Sequence, residues 1–213
     1  MKTNPLRINN ILFVSVSFTM ILLIARIIYT HKLVYAFYSW NIFLALIPFM
    51  CSRKLINQIK PGIKTFCYLI IWLLFLPNAP YLVTDIFHFT ERIGCPVWFD
   101  LILVSSASCN GFIIGTISLM HVEQFLNRYL KHGWVQLSLL FFIALCGYGV
   151  YLGRFLRFNS WDIITDPVDL TYYIKNSLLH PHQNLSVWAF TIIFSLLFGI
   201  IFFTIKGLNG TKN

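Results

Sequence analysis

Asp85 and His88 stand three residues apart at the end of an apolar run. On a helix that spacing puts both side chains on one face. A carboxylate so placed can orient an imidazole as a general base, or the pair can share a metal. The plain alternative is an acid and an imidazole satisfied by neighbours at the level of the lipid headgroups. A second group, Arg154, Arg157, Asn159 and Asp162, follows another apolar run. Two arginines at i, i+3 offer forked donors suited to phosphate or carboxylate. Their competing reading is a basic flank that meets lipid phosphate. His180 and His182 flank a proline and form a weaker pattern for metal. The sequence contains no glycine-rich phosphate loop, GxSxG, HExxH or EF-hand loop. It therefore names no reaction, nucleophile, cofactor or metal ligand set.

These residues sit in a chain of 213 amino acids that is 58% hydrophobic and only 11% charged. Soluble domains carry about 25% charged residues, and so much apolar surface calls for lipid as solvent. The net charge of +9 fits cytoplasmic loops and anionic headgroups. No basic stripe with interleaved aromatics lies outside the apolar runs, so nucleic acid is excluded as a partner and membrane lipid expected. The five cysteines are odd in number and contain no CxxC, which argues for packing over disulfides or thiolate metal sites.

The expected fold class is all-α: a single membrane domain over residues 1–213, a bundle of six transmembrane helices. A span needs about 20 apolar residues. Six stretches qualify, near residues 11–29, 33–51, 65–83, 98–120, 134–153 and 185–205. The first reads as an uncleaved span, because no small-x-small cleavage site follows it. Arg26, one turn from its end, either snorkels or pairs with an acid. The third span is broken by proline. From Phe66 to Leu76 a helix covers only about 16 Å, so it must include Pro77 and Pro80, each of which removes the donor for a carbonyl one turn earlier, at Leu73 and Leu76. Asn78, Thr84 or water would satisfy those carbonyls, and Tyr81 lies beside them. Ala107, Gly111 and Gly115, and likewise Gly149 and Gly153, are small residues at four-residue spacing, suited to close helix approach. Asn110 reads as an interhelical hydrogen bond. His121–Gly133, with Val122, Phe125, Leu126, Tyr129 and Leu130 on one apolar face, reads as an interfacial or span-extending amphipathic helix stopped by Gly133, and Pro167–Leu179 as a short amphipathic helix behind an Asp166 N-cap.

Counting Lys and Arg in alternate connections places ten on one side and five on the other, which makes both termini cytoplasmic. Asp85, Glu91, Asp100, Asp162, Asp166 and Asp169 then share the outer face. The exits of the third and fifth spans meet there. A polar outer vestibule would be built from Arg26, Asn78, Tyr81, Asp85, His88, Arg154, Arg157, Asn159 and Asp162, with Asp85 and His88 as catalytic candidates and the others binding substrate or anion.

The strings LFLPNAPYLVTDIFH (74–88) and GRFLRFNSWDI (153–163) resemble the signatures of an uncharacterised bacterial multi-pass membrane family, domain of unknown function 1361. The resemblance covers nearly the whole chain. It implies an integral protein of the bacterial cytoplasmic membrane and brings no established activity, cofactor or catalytic residue. Three classes of function remain: a structural or assembly factor, an enzyme acting on a lipid or envelope precursor, and a small transporter. Only Arg26, Asn41, Asn110 and Gln136 approach mid-span, which counts against a wide aqueous path.

Overall fold

The computed structural model describes residues 5–58, 60–89 and 94–210, and these form helices joined by short connections. In chain order they are α1 (Pro5–Thr30), α2 (Phe37–Ile56), α3 (Ile63–Phe75) and α4 (Asn78–Tyr81), with a 3₁₀ segment at Leu82–His88. After it come α5 (Val97–Leu126), α6 (His132–Phe155), α7 (Asp162–Thr165), α8 (Pro167–Leu179), a 3₁₀ turn (Pro181–Asn184) and α9 (Leu185–Gly210). Among the described residues, five stretches are long and apolar enough to cross a membrane: Asn9–Thr30, Ile63–Phe87, Val97–Leu126, His132–Phe155 and Pro181–Leu208. The expected span at 33–51 falls in α2. That helix opens on Tyr38, Ser39, Trp40 and Asn41 and closes on Ser52, Arg53 and Lys54, so its apolar stretch is short. Glu91 and Arg92 lie outside the described residues.

The outside of the bundle is apolar. Phe13, Ile21 and Ile28 of α1 and Ile193, Leu196 and Ile200 of α9 are exposed, as lipid-facing side chains are. The polar residues of the long helices turn inward. Ser15 and Thr19 of α1 meet Asn110 of α5: Ser15 Oγ donates to Asn110 Oδ1 at 2.7 Å, and Asn110 Nδ2 donates to Thr19 Oγ1 at 2.8 Å. Between helices already surrounded by hydrocarbon, such bonds and close backbone packing hold the pair where a hydrophobic drive cannot. Arg26 is buried and grips Asp100 with Nε and Nη2, at 2.5 and 2.9 Å, while the ring of Tyr35 covers its guanidinium at 4.5 Å.

Two apolar cores result. One joins α1, α2, α4, the 3₁₀ segment and α5 through Leu23, Tyr38, Ile42, Ala79, Leu82 and Ile114. The other joins α3, α5, α6 and α9 through Trp72, Leu119, Leu139 and Phe198. Trp72 is fully buried and donates its indole N–H to Ser118 Oγ at 2.7 Å.

Three expectations are refined. The span-extending reading of 121–133 holds as far as Leu126, where α5 ends in a turn; the interfacial helix does not form, and Gly133 lies in the first turn of α6. The apolar face read there, Val122 and Phe125, is the continuation of the stripe that α5 buries. α8 occupies Pro167–Leu179 with proline in its first turn, but the Asp166 side chain makes no capping bond. The small residues, read as sites of close helix approach, receive chiefly the short helix α4 and the proline before it. A Cβ on Gly111 would stand 2.2 Å from the carbonyl oxygen of Ala79, and one on Gly149 2.5 Å from Pro77 Cγ. One on Gly153 would lie 3.4 Å from the Tyr81 ring. α5 and α6 are notched to seat the 77–81 segment between them. Gly147 serves α9, with Ser195 Oγ only 2.2 Å from its would-be Cβ.

Gly111→Ala and Gly149→Ala should therefore each lower the thermal midpoint of the purified protein in detergent, by an overpacking cost of about 1–3 kcal/mol. At Gly207 a Cβ meets nothing within 4 Å, and Gly207→Ala should hold or raise the midpoint. Equal midpoints for all three variants would contradict the notch.

Candidate functional site

Pro77 carries no N–H, and the helical ladder tightens around it. Ala79 N–H bonds to Leu76 O at 3.1 Å, an i+3 bond, so the Leu76 carbonyl is satisfied without a side chain. The same tightening takes the regular donor away from Phe75. Asn78 supplies the replacement, donating Nδ2 to Phe75 O at 3.0 Å and to Ser160 Oγ at 2.8 Å. Ser160 passes its own hydrogen to Leu74 O at 3.0 Å. Thr84 donates to Tyr81 O at 2.7 Å, and Ser108 of α5 to Leu82 O at 3.3 Å. Asn78 thus works on the backbone, and the connection after α6 is stapled to the proline segment through Ser160. Nothing in the sequence marks Ser160, although it stands within the second block.

The staple fixes the neighbours. Asp85 lies in the 3₁₀ segment, buried, and its carboxylate meets Arg154 Nη1 at 3.3 Å and Asn41 Nδ2 of α2 at 3.5 Å. The side chains of this pair are 3% and 7% exposed. The Arg154 guanidinium lies 6.0 Å from the Tyr81 ring centroid and 5.6 Å from that of Phe87. Tyr38 of α2 is buried, its ring 5.8 Å from that of Tyr35. In a 3₁₀ helix residues three apart are eclipsed, so Asp85 and His88 occupy one side of that segment. The His88 side chain lies outside the described residues.

The two arginines do not act together. Arg154 is turned in onto Asp85. Arg157 lies past the end of α6 with φ 63° and is exposed. Its left-handed backbone ends the helix and lets Phe158 N–H return to Leu152 O at 3.2 Å. A forked clamp on a ligand is not formed. Arg26 is likewise occupied, by Asp100. Asp162 is a turn former. It accepts from the Asn159 backbone N–H at 2.6 Å and from Thr165 Oγ1 at 2.9 Å, and that backbone bond holds its carboxyl below the usual carboxylate range. His180 and His182 are exposed, and among the described residues no three His, Cys, Asp or Glu gather as metal ligands do.

Beside the staple lies a cavity of about 380 Å³ lined by Asn41, Asn78, Tyr81, Asn159 and Ser160, with Trp40 and Tyr148. Its walls are leucines of α2, α3 and α6 and, from α7 and α8, Ile163, Leu170 and Ile174. Of the expected site residues, Asn78, Tyr81 and Asn159 line it together with Pro77. Asp85 and Arg154 stand one residue behind, touching it through Asn41 and Tyr81. A space of this size, mostly apolar with a few convergent polar groups, has the character of a small-ligand site.

A family model described as a protein of unknown function (DUF1361) matches residues 40–203. No curated protein and no solved structure matches the chain. The matched segment runs from α2 into α9 and takes in both blocks, the staple, the Asp85–Arg154 pair and every residue lining the cavity. With well over half of its length matched, the protein belongs to the DUF1361 family.

Proposed function

We propose that this is a six-span protein of the bacterial cytoplasmic membrane, with both termini cytoplasmic and a proline-broken third span. Its extracytoplasmic vestibule binds the head of a membrane amphiphile, and the chain acts as a binding or assembly component of the envelope. The observation that carries the reading is the cavity beside the staple. It is walled by leucine, floored by amides and hydroxyls, and built from the segments bearing both family blocks.

The sixth crossing is α2. Asn41 near its start meets Asp85, and Ser52 near its end meets His121 at 3.1 Å, close to the far end of α5. α2 thus runs alongside α5 from near Asp85 to His121, and its modest apolarity reflects its burial among neighbours instead of lipid. The face with Asp85, Asp100, Asn159 and Asp162 is the acid-rich one. The opposite face has Glu123 paired with Lys206, and Arg128 donating to Gln58 O at 3.2 Å. The basic excess lies on that second face, which makes it cytoplasmic.

A catalytic reading has one observation in its favour: Asp85 abuts the cavity through Asn41, with His88 on the same side of its segment. Against it, Asp85 already neutralises Arg154. A carboxylate that closes a buried ion pair is first a structural group, and removing one partner of such a pair costs about 3–5 kcal/mol.

Asp85→Asn should therefore cut the membrane abundance and thermal stability of the protein, and Asp85→Asn with Arg154→Gln should recover much of the loss. Wild-type stability in Asp85→Asn, with a changed envelope-lipid profile in cells carrying it, would favour catalysis instead. For topology, reporters fused at Asp166 and at the C-terminus should report opposite sides. A cytoplasmic signal at Asp166 would remove the extracytoplasmic vestibule.

A further inference from the structure

We infer that the head bound in this cavity is uncharged and carries hydroxyl groups, as a glycerol or sugar head on a hydrocarbon tail does; the inference rests on reading the cavity as a binding site. The polar side chains on its floor spend part of their donors within the protein. Asn41 gives Nδ2 to Asp85, Asn78 gives Nδ2 to Phe75 O and Ser160, Asn159 gives Nδ2 to Asp162 at 3.4 Å, and Ser160 gives its hydroxyl hydrogen to Leu74 O. Left for a ligand are three amide oxygens, one N–H each of Asn41 and Asn159, and the Tyr81 hydroxyl, a mixed set of acceptors and donors. The ligand head must therefore both donate and accept.

Charge decides which donor. Among the described residues lining the cavity there is no Lys, Arg, His, Asp or Glu. A phosphate or carboxylate would find no cation to neutralise it, since Arg154 is held by Asp85. An ammonium head would need a carboxylate or a cage of aromatic faces. The carboxylate is paired, the Tyr81 ring already has the Arg154 guanidinium beside it and the Tyr148 ring stacks on Trp188, which leaves Trp40 alone and no cage. Hydroxyl groups need neither. They donate to amide oxygens and accept from a phenol, and the C–H face of a polyol or sugar packs on an aromatic wall such as Trp40. About 380 Å³ admits a head and the start of a tail, and Leu44, Leu145 and Leu170 receive that tail.

The full chain in neutral detergent is titrated with four dioleoyl lipids: dioleoylglycerol, its monoglucosyl derivative, dioleoyl phosphatidic acid and dioleoyl trimethylammonium propane. Equilibrium binding and the thermal midpoint are read together. Both neutral lipids should bind saturably and raise the midpoint. Tyr81→Phe should weaken them by about threefold to tenfold, the worth of one hydrogen bond, and Leu145→Trp, which fills the cavity, should abolish binding. Preferential binding of the phosphatidic acid or the ammonium lipid, lost in Leu145→Trp, would overturn the head chemistry and leave the vestibule standing. Absence of saturable binding by all four, or binding unchanged in Leu145→Trp, would overturn the vestibule itself. Should Leu145→Trp fail to fold, Tyr81→Phe decides: binding of the neutral lipids unmoved by it excludes the cavity as their site.

Discussion

A carbonyl without a donor is intolerable in hydrocarbon, and the centre of this molecule is arranged around that fact. Pro77 and Pro80 interrupt the backbone ladder of the third apolar run, and donors from three places reach the carbonyls around the break. The backbone tightens at Ala79, Asn78 reaches back to Phe75, and Ser160 arrives from the connection after α6 to reach Leu74. The last of these makes a local defect into a tertiary bond. Because Ser160 must sit there, Asn159 and Asp162 sit beside it. Because the 77–81 segment must be reached, α5 and α6 are notched with glycine to let it in.

The buried charges follow from the same seating. Once Tyr81 lies against Gly153, Arg154 is next along α6 and finds Asp85 at the end of the segment. Two buried ion pairs, Arg26–Asp100 and Asp85–Arg154, tie α1 to α5 and α6 to the 3₁₀ segment. A ring of tyrosines stands between them, with Arg26 over Tyr35, Tyr35 beside Tyr38, and Arg154 near Tyr81. Aromatic faces and paired charges together let ionised groups persist at a depth where single ones would not.

Much of this was legible in the residues. Long apolar runs, the α8 boundaries and the unusual character of 74–88 could all be read directly, because length, apolarity and proline act locally. The end of α6 was not legible. Arg154 and Arg157 look alike in sequence, and only the left-handed turn at Arg157 separates a buried ion-pair partner from an exposed cation. The glycines announce close approach without naming its partner. A small residue says that something comes close, and cannot say whether it is a full span or the four-residue α4 behind a proline. Ser160 carries the staple with the commonest of side chains. Its partner, Leu74 O, is a backbone atom 86 residues away, which no spacing rule connects to it.

The grip between Arg26 and Asp100 also bears on how the chain enters the bilayer. The two residues are 74 positions apart, and at about 5–20 residues per second of synthesis the arginine is made roughly 4–15 seconds before its acid. During that interval α1 holds a cation one turn from its end with nothing to neutralise it. The helix must wait at a shallow depth, guanidinium among the headgroups, and settle only when α5 follows it in. The charge of the first helix is thus completed only by a helix made later in the chain.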